Sequence, residues 1–251
     1  MKTILVLSAH LDDAAFSVGP LLVELQPRFR IIVATVFTKS VLNPSGFALA
    51  CQLDKGLAAD VDYMQLRRKE DIKWAEQMGV EIKHGPFPEA PHRGYHSAKW
   101  LFGKILQTDV IEAEIRVWLQ DFLNAIQPDM VLLPLAIGNH VDHQLLRKAA
   151  EVTEADPLTL AYYCDQPYTA KTHAVAPEVR AGNLNPCHSS MVPISGDSIY
   201  RAIGSAFAYA TQIPFQFGNI NEMTLVLNSA WEGGITLAHV AGTPAYLSDL
   251  I

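Results

Sequence analysis

Apolar positions along the chain follow two rhythms. Uninterrupted apolar and β-branched runs at Ile4 to Ser8, Ile31 to Phe37, Met130 to Leu135 and Leu158 to Cys164 read as buried strands. Helical spacing occupies Ala14 to Leu25, Arg67 to Met78 and Asp109 to Ile126, the last two stopped by Gly79 and Pro128. A short strand follows at Val80 to Lys83, and the stretch "AIGNHVDHQLLRKAAEV" reads as a loop that becomes a helix. Strands alternating with helices predict an α/β fold with a mainly parallel sheet. Further on, Ser198 to Gln212 reads as a helix and Glu222 to Leu227 as a late strand, while 228–251 shows no pattern that assigns it. Two loops are unusually long, at about 38–63 and 84–108. Loops of that length in a compact fold usually carry function. Without a repeat, a low-complexity tract or a linker, residues 1–251 read as one domain.

With 49% hydrophobic residues, the chain can bury a substantial core. A net charge of -7 and a pI near 5.7 argue against nucleic acid as a partner, and Arg67, Arg68 and Lys69 make the longest basic cluster. Cys51, Cys164 and Cys187 lie far apart and in no CxxC spacing, which fits a reducing, cytoplasmic setting. The short apolar start meets Asp12 and Asp13 too soon for a signal peptide. No apolar run reaches the roughly 20 residues of a membrane span.

The chemistry lies where two buried strands end. After the first come His10, Asp12 and Asp13; after "MVLLPL" come His140, Asp142 and His143. Unpaired carboxylates at the end of a buried strand are costly, so a metal ion or a reacting substrate is expected to compensate them. Ligands of open α/β sheets bind outside the carboxyl ends of the strands near a switch in strand order, so the clusters should converge. Two imidazoles and one carboxylate, for instance His10, Asp13 and His143, form a set typical of catalytic zinc, and such a zinc lowers the pKa of its water to roughly 7. The same set describes a non-haem Fe(II) triad, so Zn2+, one per chain, has Fe2+ as its alternative. Asp12 is then free to act as general base and His140 as acid or oxyanion stabiliser, with Asp142 fixing the His140 tautomer. Helix capping is the plainer role for any one of these residues. Six ionisable groups in two corresponding turns argue for a site.

"SAHLDDAAFSVGPLL" resembles the AHPDDE signature of the PIG-L/LmbE-like de-N-acetylases, and "GNHVDH" resembles that family's HPDH signature. "RRKEDIKWAEQMGV" and "YYCDQPY" are similar to two supporting stretches, and "AIGSAFAYATQIPFQFG" is a weaker echo of a C-terminal helix. The resemblance implies a Rossmann-like three-layer α/β/α fold and a zinc hydrolase that removes acetyl from N-acetylated amino sugars of the N-acetylglucosamine type. It implies His10, Asp13 and His143 as zinc ligands, Asp12 as the base activating metal-bound water, and His140 as stabiliser or acid with Asp142 supporting it. Leu11, Ala14 and Val141 depart from the signatures at positions that are not ligands, and Gly138 and Tyr209 replace residues tied to substrate choice in some members. Arg67 is a substrate candidate by the same resemblance, or half of a surface ion pair with Glu70. A catalytically silent sugar-binding member is the alternative, and several relatives form homo-oligomers.

Weaker candidates are His84, His92 and His96, which could line the cleft or simply be solvated. Trp100 and Trp118 could stack on a sugar, with Trp118 better placed in the core, and Trp231 beside Glu232 could form a platform.

Overall fold

The computed structural model describes residues 1–153, 159–171 and 187–240. Within them, β1 (Thr3–Ser8), β2 (Arg30–Thr35), β3 (Glu81–His84), β4 (Met130–Pro134), β5 (Thr159–Tyr163), β6 (Cys187–Val192) and β7 (Ile235–Val240) form one sheet in the order β3-β2-β1-β4-β5-β7-β6. The first five strands are parallel; β7 runs antiparallel between β5 and β6. The expected α/β fold with a mainly parallel sheet is what the chain adopts.

Side chains alternate across the strands and feed two cores. Ile4 and Val6 face one core, with Ile31, Val33 and Leu132; Leu5 and Leu7 face the other, with Ile32, Ala34 and Val131. Helices α1 (Asp13–Leu25) and α3 (Tyr63–Met78) cover the first side, together with α8 (Gly196–Ala206) and α10 (Ile220–Trp231). Helices α5 (Ile111–Ile126) and α6 (Val141–Glu151) cover the second. These are the three layers. Short helices among the described residues are α2 (Gly46–Leu53), α4 (Ala98–Leu101), α7 (Tyr168–Lys171) and α9 (Ile213–Phe217). No helix among the described residues is long and apolar enough to cross a membrane.

Several elements differ from expectation. The loop at 38–63 contains α2, and α3 starts at Tyr63 because the Asp62 side chain caps it, accepting the Gln65 N–H at 2.9 Å. Its end at Gly79 is as expected, with the glycine in the left-handed conformation. The helix expected over Ser198 to Gln212 stops at Ala206, and the chain turns and restarts at Ile213 with Pro214 in the new first turn. Glu222 to Leu227 is helix rather than strand. The Asn219 side chain caps α10 by accepting the Glu222 N–H, and Met223, Leu227 and Trp231, four apart, make one buried stripe. Of the unassigned 228–251, Ile235–Val240 is β7, and 241–251 lie outside the described residues.

Trp231 is therefore no sugar platform. It is 1% exposed, and a Cβ added at Gly19 would lie 3.3 Å from Ala202 and 3.9 Å from the Trp231 ring. Gly19 lets α1 and α8 meet closely, with Trp231 filling the space behind. Truncation to Ala should cost about 3–5 kcal/mol, read as a lowered denaturation midpoint at unchanged slope; a midpoint like that of the parent protein would contradict this packing.

Candidate active site

β1 and β4 are neighbours, and α1 and α6, which follow them, cover opposite sides of the sheet. That divergence opens a crevice at the carboxyl ends of the two strands, and both polar clusters sit in it. Ala136 and Asn139, non-glycine residues after β4, have positive φ of 60°. Such strained backbone concentrates at functional sites.

The side chains converge closely. His10 Nδ1 lies 3.3 Å from His143 Nε2; Asp13 Oδ2 lies 3.3 Å from His143 Nε2 and 3.5 Å from His10 Nδ1. Four-coordinate tetrahedral ligands about 2.0–2.1 Å from a metal are about 3.3–3.4 Å apart, so this triangle has the size of one face of such a polyhedron. His10, His140 and His143 also present donor nitrogens within 4.8 Å of one another, a second, wider grouping. The set with Asp13 fits the size of a divalent ion better, and it leaves His140 Nδ1 to its own task as the cap of α6, accepting the Asp142 N–H at 3.3 Å.

Each imidazole is held from behind. His143 Nδ1 is 2.6 Å from Asp165 Oδ1, whose other oxygen accepts the Ile137 N–H. His10 Nε2 is 3.0 Å from Asp142 Oδ2, which also accepts the Ala90 N–H at 3.1 Å, while Arg93 donates to Oδ1 at 2.7 Å. Carboxylate-backed imidazoles are the usual outer support of metal sites, fixing tautomer and ring orientation. Asp142 meets His140 through its backbone N–H, which fixes that tautomer, while its carboxylate serves His10 and leaves Oδ2 4.0 Å from the His140 ring.

Asp12 occupies the N-cap position of α1 without capping it. Its Oδ1 instead accepts from Arg67 Nη2 at 2.8 Å, and Arg67 Nη1 donates to Glu89. Arg67 is 4% exposed and makes no surface pair with Glu70, whose carboxylate accepts from Thr211 across to the C-terminal segment. Gly138 adopts a left-handed φ of 88° beside Tyr168, so close that a Cβ would lie 3.0 Å from that ring. Tyr209 is buried beneath α3 and donates to Asp71 at 2.7 Å. Among the three loop histidines, His92 lies near Glu89, His84 bonds Asp71, and His96 is exposed beside Trp100. Trp118 packs between Phe87 and Phe122, as expected of a core residue.

Arg93, Asp165 and Glu89 carry no expectation from sequence. Asp165 had a readable signal, an acidic residue just past the buried strand "YYC". Arg93 and Glu89 sit in an irregular loop whose pattern says nothing about where it folds.

Electrostatics follow from burial and crowding. Burial is the largest influence on Asp12 and raises its pKa, with Arg67 opposing. At Asp13 burial is outweighed by His143 and His10, which lower its pKa. Burial acts against charge on His10, yet Asp13 and Asp142 together outweigh it and hold the pKa well above the usual value; His143 is likewise raised, by Asp13 and Asp165 against burial. His140 goes the other way, down to about 3, through burial and then the charge on His10. A cation entering the triangle must displace the protons on His10 and His143, so metal affinity should fall as pH drops through their titration. Calorimetry in buffers of differing ionisation enthalpy checks it: proton release accompanies binding, and affinity independent of pH from about 6 to 8 contradicts it.

Residues 5–153 match the PIG-L family model, described as GlcNAc-PI de-N-acetylase. The chain is 31% identical over 217 residues to the 2'-N-acetylparomamine deacetylase of Streptomyces fradiae, covering 84% of this chain and 73% of that protein. The crystal structure of the A40926 pseudoaglycone deacetylase Dbv21 superimposes with a TM-score of 0.77 at 29% identity, covering 96% of this chain and 98% of the other. A deacetylase of the teicoplanin biosynthesis pathway gives 0.78 at 25% identity, with 94% and 96% covered. With its family match over more than half its length and the two signature clusters meeting in one crevice, the chain belongs to the PIG-L family of GlcNAc-PI de-N-acetylases.

Proposed function

We propose that this deacetylase hydrolyses the N-acetyl amide of an amino sugar, free or carried on a larger small molecule, with a divalent ion, zinc by its donor set, held by His10, Asp13 and His143. The observation that supports it most is the near-equilateral triangle of these donors with Asp12 beside it but outside it. Such an ion, when bound, polarises the amide carbonyl and makes water more acidic.

The protein groups complete the chemistry. Asp12, bound through Oδ1 by Arg67, keeps Oδ2 to take a proton from the attacking water, and its raised pKa makes it a stronger base than an ordinary carboxylate. His140 is neutral and accepts at Nδ1, so its proton sits on Nε2, where it can donate to the oxygen that becomes negative as the carbonyl carbon turns tetrahedral. Asp12 returns its proton to the departing nitrogen as the C–N bond breaks, leaving acetate and the free amine. An oxygenase triad would give Asp12 and His140 no comparable task.

The test is a panel of N-acetylated amino sugars and their conjugates, assayed for both acetate and primary amine. Equimolar release of the two from at least one member is expected. Binding without release of either would make the chain a silent sugar-binding protein, and oxygen consumption with an oxidised product would make the ion an iron serving an oxygenase.

A further inference from the structure

Beside the crevice, behind the Arg67 that holds Asp12, lie two cations with unspent hydrogen-bonding capacity. Lys55, half-buried just past α2, makes no salt bridge among the described residues; its Nζ donates to the Cys51 carbonyl at 3.0 Å, which leaves two of three protons. The Arg67 Nε–H is buried and without a partner among the described residues. Both cations lie against one ring: Lys55 Nζ is 5.3 Å and the Arg67 guanidinium carbon 5.4 Å from the centre of Tyr63. Lys55 is held on its other side by Phe215 of α9, at 4.0 Å. Nearby carboxylates are committed, since Glu89 pairs with Arg67 Nη1 and Asp62 accepts from Ser40 and caps α3. Lys55, Tyr63, Glu89 and His92 line one cavity, and Glu89 connects it through Arg67 to Asp12.

An ammonium that is half-buried, and that no carboxylate among the described residues reaches at ion-pair distance because neighbouring Glu89 is committed to Arg67, is costly in a protein of net charge -7. Arg67 is neutralised by Asp12 and Glu89, so Lys55 is the one of the two cations whose charge no ion pair among the described residues takes up. An ammonium fixed by aromatic faces on two sides is pre-organised, which lowers the entropy lost when it grips a ligand.

We infer that Lys55 reads an anionic group on the substrate, a carboxylate or phosphate ester close to the reacting amide, so that anionic N-acetylated sugars are preferred over neutral ones and over polycationic aminoglycosides. This rests on the deacetylase function proposed above. A ligand anion takes up the free protons of Lys55, whereas a substrate ammonium would meet a like charge. Lys55 acts on specificity by binding and takes no part in proton transfer.

The test compares kcat/KM of the metal-loaded protein at low salt for N-acetylglucosamine, N-acetylglucosaminuronic acid and N-acetylglucosamine 1-phosphate. The first is neutral; the others separate carboxylate from phosphate as the source of charge. At least one anionic sugar should exceed the neutral one by about tenfold or more, as expected of a hydrogen bond to a charged group. In Lys55→Gln that ratio should collapse through KM rather than kcat, and Lys55→Arg should restore part of it. Equal kcat/KM for all three, or an equal loss on all three in Lys55→Gln, overturns the proposal and leaves the deacetylase function standing. If none of the three is hydrolysed, calorimetry with the same sugars decides: anion-selective binding that requires Lys55 upholds the subsite and counts against hydrolysis, and binding without that selectivity overturns the subsite.

Discussion

Replacing Asp12 by Asn should lower turnover by about 10²–10⁴-fold, the usual cost of a lost general base, while leaving metal content unchanged. Asn keeps a carbonyl oxygen where Oδ1 accepts from Arg67, so the buried guanidinium retains its partner and the turn after β1 retains its shape. What disappears is the oxygen able to hold a proton. Because Asp12 is no member of the donor triangle, metal bound per chain measures its role independently of rate. Loss of metal in this variant would make Asp12 a ligand and remove the base from the mechanism. Full activity would exclude it from proton transfer altogether.

His143→Ala should abolish tight metal binding. His143 Nε2 is the donor that stands 3.3 Å from both other members of the triangle, and without it two ligands remain. Affinity should fall by more than the roughly 10–100-fold typical of losing an outer partner. Asp165→Asn supplies that smaller figure within the same protein, since the carboxylate holds His143 from behind without touching the triangle. His143→Ala also leaves the Asp165 carboxylate buried with only the Ile137 N–H, so some loss of stability accompanies it. Circular dichroism and the denaturation midpoint separate the two effects, and a folded His143→Ala protein that binds metal as tightly as its parent contradicts the ligand set.

Much of this was legible in the chain. Buried parallel strands announce themselves as continuous apolar runs, and an HxxD turn and an HxxH turn follow two such runs, so β1, β4 and the polar clusters after them are readable from the sequence. The C-terminal third was harder. Glu222 to Leu227 looks like a strand over six residues, and only the stripe of Met223, Leu227 and Trp231, spaced four apart on a segment capped by Asn219, shows a helix. β7 pairs antiparallel with strands far away in sequence, a choice made by tertiary contacts rather than by local pattern.

The outer support of the site was the least readable part. Arg93 reaches Asp142 across 49 residues, and Arg67 reaches Asp12 across 55. Nothing in the local composition of an irregular loop says which buried charge it will neutralise. For Arg67 the helical spacing with Glu70 even suggested the wrong partner, since the carboxylate three residues on turns to Thr211 instead. Asp142 shows the same limit: a carboxylate between two histidines can serve either of them or neither, and only the fold, which brings His10 across from the neighbouring strand, decides.

The most direct measurement is a reconstitution titration. The protein is stripped of metal, zinc is added back in steps, and amine release from an N-acetylated sugar found active in the panel is followed at each step. Activity should be absent in the stripped protein, rise linearly, reach a plateau at about one zinc per chain, the single-ion stoichiometry of a one-metal catalytic site, and stay at baseline throughout in His143→Ala. Activity that survives stripping, or that the added ion restores equally in His143→Ala, would contradict a metal-dependent deacetylase built on His10, Asp13 and His143.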